Sequence, residues 1–157
     1  SECGPRALGN RSIICDPSGA GKKDLINEKI KHREWFRPFA PVVKAEDVEK
    51  YFDFSGESRF MSYAPTVRTE YIDIIPAVVH KDATARVQTV TRAQNKFLYN
   101  LLDEFERISG IGVLLNTSLN IKGLPILTTL RDAFDVWNST ELDALYIEGW
   151  LFEKDRL

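Results

Sequence analysis

The residues of this 157-residue chain best suited to chemistry are cations and amides in four strings. Gly4-Pro5-Arg6-Ala7-Leu8-Gly9-Asn10-Arg11-Ser12 holds two arginines and two glycines in nine residues. Glycine lets backbone N–H groups approach phosphate oxygens, and a guanidinium offers them a planar fork; the plainer reading is a basic surface turn. Lys31-His32-Arg33-Glu34-Trp35-Phe36-Arg37-Pro38-Phe39-Ala40-Pro41 sets three firm cations within seven residues, among three aromatics and two prolines. Lys31 and the arginines could simply cap the preceding helix, but the prolines stiffen the segment beyond it, and a rigid cation cluster is what phosphate transfer needs. His80-Lys81-Asp82-Ala83-Thr84-Ala85-Arg86-Val87-Gln88 opens an apolar strand with Arg86, whose ordinary role there is pairing with a carboxylate such as Asp82. Asn116-Thr117-Ser118-Leu119-Asn120 comes after the apolar Val113-Leu114-Leu115. An amide can orient a carbonyl or amino group and a serine can donate to phosphate, beyond the carboxyl end of a strand where ligands of open α/β sheets bind; otherwise the segment is a turn satisfying its own backbone.

This set suits polyanions, handled by positioning and charge neutralisation. One cation 4 Å from a phosphate charge is worth roughly 4 kcal/mol at an effective dielectric of 20, before desolvation, so several must converge. Other chemistries are poorly supplied. Gly19-Ala20-Gly21-Lys22 imitates a phosphate-binding P-loop, but Asp16 stands where its first glycine belongs and Lys23 where the magnesium-binding hydroxyl belongs. There is no Ser-His-Asp or Cys-His arrangement, and two histidines (His32, His80) with two cysteines (Cys3, Cys15) give no metal-ligand spacing. The cysteines read as free thiols of a reducing cytosol. A net charge of −2 does not indicate a nucleic-acid binder, yet residues 1–37 carry eight Lys/Arg against five Asp/Glu. A basic first quarter on an acidic remainder implies a local anion site. No run approaches the roughly 18 apolar residues of a membrane span, no charged-then-apolar leader is read, and the expected location is cytoplasmic. Asn116-Thr117-Ser118 fits the glycosylation pattern and is disregarded without a secretory signal.

The elements that must position these residues are read from periodicity. Strands are expected at 12–15, around Val42-Val43, at 85–90, at 111–115, at 144–147 and at 151–152. Two or three more are expected in the β-branched and aromatic stretch 60–79. Helices are expected at 22–32, 46–52, 94–108 and 129–138. In the third helix Phe97, Leu98, Leu101, Leu102, Phe105 and Ile108 share a face; in the fourth, Leu130, Ala133, Phe134 and Trp137 point inward. With 43% apolar residues the chain suits one domain of α/β (α+β) class with a mixed sheet.

Taken together, GPRALGNRSI (4–13), KIKHREWFRPFAPVV (29–43), TARVQTV (84–90), GVLLNTSLN (112–120) and GLPI (123–126) resemble the C-terminal domain of the O-carbamoyltransferases that include nodulation and antibiotic-tailoring enzymes. The strings run in family order and span almost the whole chain. The resemblance implies a YrdC-like open twisted mixed sheet flanked by helices over residues 1–157. It implies formation of carbamoyl adenylate from ATP, with Mg2+, and carbamoyl phosphate. A Kae1-like N-terminal domain, where the only metal site proper to the protein is expected, then transfers the carbamoyl group to a substrate hydroxyl. The chain lacks an initiator Met and is expected to be cut from such a longer protein. By position, Arg6, Lys31, Arg37 and Arg86 are implied to hold the phosphates, with Lys31, Arg37 and Arg86 catalytic, and Asn116 and Ser118 to contact the carbamoyl and phosphate groups. Arg11 and Arg33 are further candidates, and Asp82 and Thr84 are candidates to support Arg86.

The sequence departs from the family pattern at Lys81 and Ala83, where His-Val-Asp-Gly-Thr-Ala-Arg is common, and at Leu119 and Leu124, where Phe and Glu are common. Ala83 matters most, because alanine reaches positive φ less easily than glycine. Rival readings are a threonylcarbamoyl-adenylate synthase-like enzyme using threonine and bicarbonate, a non-catalytic RNA- or anion-binding module, and a structural interface domain. The hydroxyl acceptor and the oligomeric state have no signature in the sequence.

Overall fold

The computed structural model describes residues 6–19 and 21–154. Gly4 and Pro5 of the first basic string, Ala20 of the P-loop imitation, and Cys3 lie outside the described residues. The described elements are β1 (Ser12–Cys15), α1 (Gly21–Leu25) running into a π-helical turn (Ile26–Ile30), β2 (Ala40–Lys44), α2 (Val48–Tyr51), β3 (Gln88–Val90), α3 (Lys96–Ser109), β4 (Val113–Ser118), α4 (Leu130–Ser139), β5 (Ala144–Ile147) and β6 (Trp150–Glu153). Four strands form a sheet in the order β1-β4-β2-β3. β4 is antiparallel to both β1 and β2, whereas β2 and β3 are parallel, so the sheet is mixed as expected. β5 and β6 form a separate hairpin.

Val113-Leu114-Leu115-Asn116 is buried throughout, as a strand covered on both faces must be. On one face Val43, Val113, Leu115 and Ile13 pack against Ile26, Ile30, Tyr51, Ile75 and Val78. On the other, Val42, Val90 and Leu114 meet Leu98 and Leu102 of α3. Asn95 caps α3 by accepting from Leu98 N, and Gly110 at φ 77° ends it. The Thr129–Asp132 capping box starts α4, which closes a third, smaller core with Leu127 and Leu145.

Several expectations are corrected. The 60–79 stretch forms no continuous strand. It makes 3-10 turns at Thr69–Tyr71 and Pro76–Val78 and joins its neighbours through single bridges, Phe52 to Val67, Tyr63 to Val87 and Thr66 to Thr84. Pro65 and Pro76 lack the N–H that a ladder needs, so pairing does not propagate. Phe97 (47% exposed), Ile108 (76%) and Leu130 (63%) do not face the core; Phe97 instead stacks on Tyr146 with ring centroids 4.5 Å apart. The strand expected at 111–115 runs on to Ser118, which puts Asn116 into register with Ile14 and Ala40 rather than into a turn. Among the described residues no helix is long and apolar enough to cross a membrane.

Candidate functional site

Between the Arg6–Leu8 segment, the loop before β2, the turn before β3 and the end of β4 lies a cavity of about 480 Å³, within the size range of small-molecule sites. Arg6, Arg33, Arg37 and Arg86 line it together with His80, Asn116, Thr117 and Ser118, and no Asp or Glu belongs to its described lining. Four arginines from three distant stretches of chain thus contribute to one wall whose described lining has no carboxylate, although Arg37 also pairs with Glu34 beside it.

The loop that carries two of them is organised by Asn27, which is fully buried in the π-helical turn. Its Nδ2 donates to the carbonyls of Trp35 and Arg37, each at 3.1 Å, and its Oδ1 accepts from Arg33 Nε at 2.7 Å. Arg33 is further held over the Phe39 ring, 4.7 Å from its centroid. Its Nη2 is buried without a hydrogen-bond acceptor among the described residues. Burial, together with the Arg37 charge and against Glu34, brings the Arg33 guanidinium down to about 10, still charged at neutral pH. Arg37 is more exposed and donates from Nε to Glu34 at 2.9 Å. Glu34 is itself paired with Lys122 at 2.9 Å.

The wall bearing His80 and Arg86 is a tight turn. Asp82 Oδ1 accepts from Thr84 N (3.1 Å) and Thr84 Oγ1 (2.7 Å), and Thr84 Oγ1 lies 2.9 Å from His80 Nδ1. Asp82 and Thr84 therefore shape the turn from which Arg86 emerges two residues later. Ala83 sits at φ 61°, the left-handed conformation that glycine takes more readily. Burial lowers the His80 pKa, as do the Arg86 and Lys23 charges, while Asp82 opposes the shift.

At the end of β4, Asn116 and Ser118 project from alternate positions of one strand and so share a face. Lys31 is not part of the cavity lining. It is 3% exposed, and its Nζ donates to Ser118 O (2.7 Å), Ser118 Oγ (3.4 Å) and Asn120 Oδ1 (2.7 Å). Those acceptors hold the ammonium behind the strand end rather than in the open pocket. Burial first, and then the Arg33 charge, pulls Lys31 down to about 7.

Arg6, Arg37, Arg86, Asn116 and Ser118 are thus brought together, and Arg33 joins them. Arg11 does not. Leu8 (φ 51°) and Gly9 (φ 90°) turn the chain between Arg6 and Arg11. Arg11 then donates to Leu127 O at 3.1 Å and lines a separate, largely apolar groove along β1. In the P-loop imitation, Lys22 pairs with Asp16 at 2.5 Å, the residue that spoils the motif. Sequence reasoning gave no role to Asn27, nor to His80, Asn120 and Gln88, which lie within the quoted strings; Gln88 Oε1 accepts from Asn116 Nδ2 at 2.6 Å. Asn27 and Gln88 gave no signal of their own, since an amide inside a helix or strand looks like any polar residue until its partners are known. For Asn120 the signal was its place two residues after Ser118.

The sequence profile of the family described as Carbamoyltransferase C-terminus matches residues 1–154. Among similar proteins, a nodulation protein NolNO of Sinorhizobium fredii is 43% identical over 157 residues, covering 98% of this chain and 23% of the relative. A nodulation protein U of Rhizobium tropici is 38% identical over 157 residues, covering 100% of this chain and 27% of the relative. A 3'-hydroxymethylcephem-O-carbamoyltransferase of Amycolatopsis lactamdurans is 44% identical over 131 residues, covering 83% of this chain and 25% of the relative. The chain therefore spans about a quarter of the length of these relatives. With its profile matched nearly end to end, and with nodulation proteins and a cephem O-carbamoyltransferase among relatives of about 40% identity, this chain belongs to the carbamoyltransferase C-terminal family.

Proposed function

We propose that this chain is the carbamoyl-activating part of an O-carbamoyltransferase, which forms carbamoyl adenylate from ATP and carbamoyl phosphate. The observation that carries the reading is the meeting of Arg6, Arg33, Arg37 and Arg86 with Asn116 and Ser118 around one cavity whose described wall has no carboxylate. Two polyanions brought together repel one another, and only a dense set of fixed cations offsets that repulsion. In the proposed sequence, water cleaves carbamoyl phosphate to carbamate and phosphate. A carbamate oxygen then attacks the α-phosphorus of ATP, the bond from that phosphorus to the β-bridging oxygen breaks, and pyrophosphate leaves. The arginines hold the phosphate oxygens and take up the charge that develops on the leaving group. Mg2+ entering with ATP would neutralise part of the phosphate charge, and Asn116 and Ser118 are among the neutral oxygen-bearing side chains the described wall would offer beside it. Transfer to a substrate hydroxyl is assigned to a further, Kae1-like, metal-binding domain of the longer protein.

The test is pyrophosphate release from ATP by the intact protein. It is expected to require carbamoyl phosphate and to fall at least a hundredfold in Arg86→Ala. Release that depends instead on threonine with bicarbonate would identify a threonylcarbamoyl-adenylate synthase-like activity. Absence of both, with salt-sensitive RNA binding in their place, would reduce the site to an anion-binding module.

A further inference from the structure

Cleavage of carbamoyl phosphate by water releases a proton, and the described wall of the cavity offers few groups to take it. Guanidinium groups stay protonated, and amide and hydroxyl oxygens are too weakly basic. His80 is the one side chain of the described lining that can gain a proton near neutral pH. The turn that carries it also fixes which nitrogen is free. Asp82 is ionised at neutral pH, because its hydrogen bonds from Thr84 lower its pKa, and a carboxylate can only accept. The single hydroxyl proton of Thr84 therefore goes to Asp82 Oδ1, 2.7 Å away. Toward His80 Nδ1, at 2.9 Å, Thr84 Oγ1 has only lone pairs left, so Nδ1 carries the hydrogen. In the neutral ring Nε2 is then the bare nitrogen. It has no hydrogen bond to a described residue and is not among the side-chain atoms buried without a partner. It is thus accessible, on a half-buried ring that lines the cavity. Burial lowers the pKa of the ring, Asp82 opposes that shift, and Arg86 and Lys23 add to it. The other charges of the described wall, Arg6, Arg33 and Arg37, are cations too.

We propose that His80 is the general base of the water-dependent step, with Thr84 and Asp82 as positioning residues that hold its Nδ1–H tautomer. The assignment rests on the proposed function and accounts for the proton of its first reaction. His80 Nε2 removes one proton from water as the water oxygen bonds to the phosphorus of carbamoyl phosphate. The bond from that phosphorus to the carbamoyl oxygen breaks, and its electron pair leaves on carbamate. The arginines offset the charge that otherwise repels the incoming oxygen, and the proton passes from Nε2 to solvent.

The experiment uses the intact protein and feeds the ATP step in two ways, with carbamoyl phosphate or with freshly dissolved ammonium carbamate, which bypasses the water-dependent step. Pyrophosphate release by His80→Ala is expected to fall roughly a hundredfold with carbamoyl phosphate and only severalfold with carbamate. Added imidazole should restore part of the carbamoyl phosphate rate, in proportion to its neutral fraction. Thr84→Val, which leaves the tautomer unheld, should lower the same rate severalfold. In the wild type, phosphate release from carbamoyl phosphate should decline as pH falls through a value below the ordinary 6.5 of histidine, since the base works unprotonated. A merely structural role lowers the rates with both donors alike and leaves imidazole nothing to restore. Equal losses with the two donors, or a His80→Ala protein fully active with carbamoyl phosphate, overturn the assignment while leaving the proposed function standing. If His80→Ala fails to fold, wild-type phosphate release that stays level from about pH 8 to 5 overturns it. If the wild type releases pyrophosphate with neither donor, the proposed function falls and the role of His80 falls with it.

Discussion

Lys31 and Arg33 stand two residues apart and solve burial differently. Arg33 keeps its charge because a guanidinium is hard to deprotonate, even against an aromatic ring and beside a second arginine. Lys31 donates to neutral acceptors, two side-chain oxygens and a backbone carbonyl, and its pKa drops to about 7. The folded state therefore binds fewer protons than the unfolded chain between about pH 7 and the free lysine value of 10.5. Stability then rises with pH through that window, and below it the cost of the buried charge is present in full. Lys31→Met should flatten this dependence. The check is the difference between the urea midpoints of wild type and variant from pH 6 to 10, which should widen in favour of the wild type as pH rises. Lys31 was legible in the sequence as a cation of the site, but its seat behind Ser118 was not, because its acceptors lie 87 and 89 residues away.

The helices α3 and α4 were legible because their apolar spacing, Asn95 and Thr129 caps and the Gly110 stop agree with one another. The His80–Thr84 turn was legible only as a departure from the pattern that the resemblance implied, an alanine where glycine was expected. Ala83 does adopt φ 61°. Left-handed geometry costs an alanine roughly 1–2 kcal/mol, whereas glycine adds a smaller entropic cost in the unfolded chain. Ala83→Gly is thus expected to stabilise by about 0.5–1 kcal/mol, a rise of roughly 2 °C in Tm, with the Asp82–Thr84–His80 hydrogen bonds retained. A fall in Tm by calorimetry would show that the turn does not hold this conformation. The stretch 60–79 was misread at this same scale, since β propensity there is overruled by two prolines whose effect on pairing depends on which neighbours they face.

Across the folded chain, the separation of the basic residues into two destinations is the testable result. Arg86 faces the cavity, and Arg11 binds the Leu127 carbonyl in another groove. Charge-assisted hydrogen bonds contribute about 1.5–3 kcal/mol. Arg86→Ala should therefore weaken binding of inorganic tripolyphosphate roughly tenfold to a hundredfold, and Arg11→Ala should leave it within about twofold. Isothermal titration at one fixed ionic strength makes the comparison, and equal losses in both variants would mean that surface charge rather than a built site holds the anion.

The types and order of the chemical groups, the mixed α/β class and most helices and strands can be read along the chain, since these depend on local propensity and short-period patterning. Five ordered strings likewise carry the family. Folding alone settles which cations share a wall, that Lys31 sits behind it, and which way the amide of Asn116 points. Each of those rests on partners tens of residues apart. The left-handed turn at Leu8–Gly9 and the clamp at Asn27 become visible as site-building features only when distant carbonyls and side chains have met.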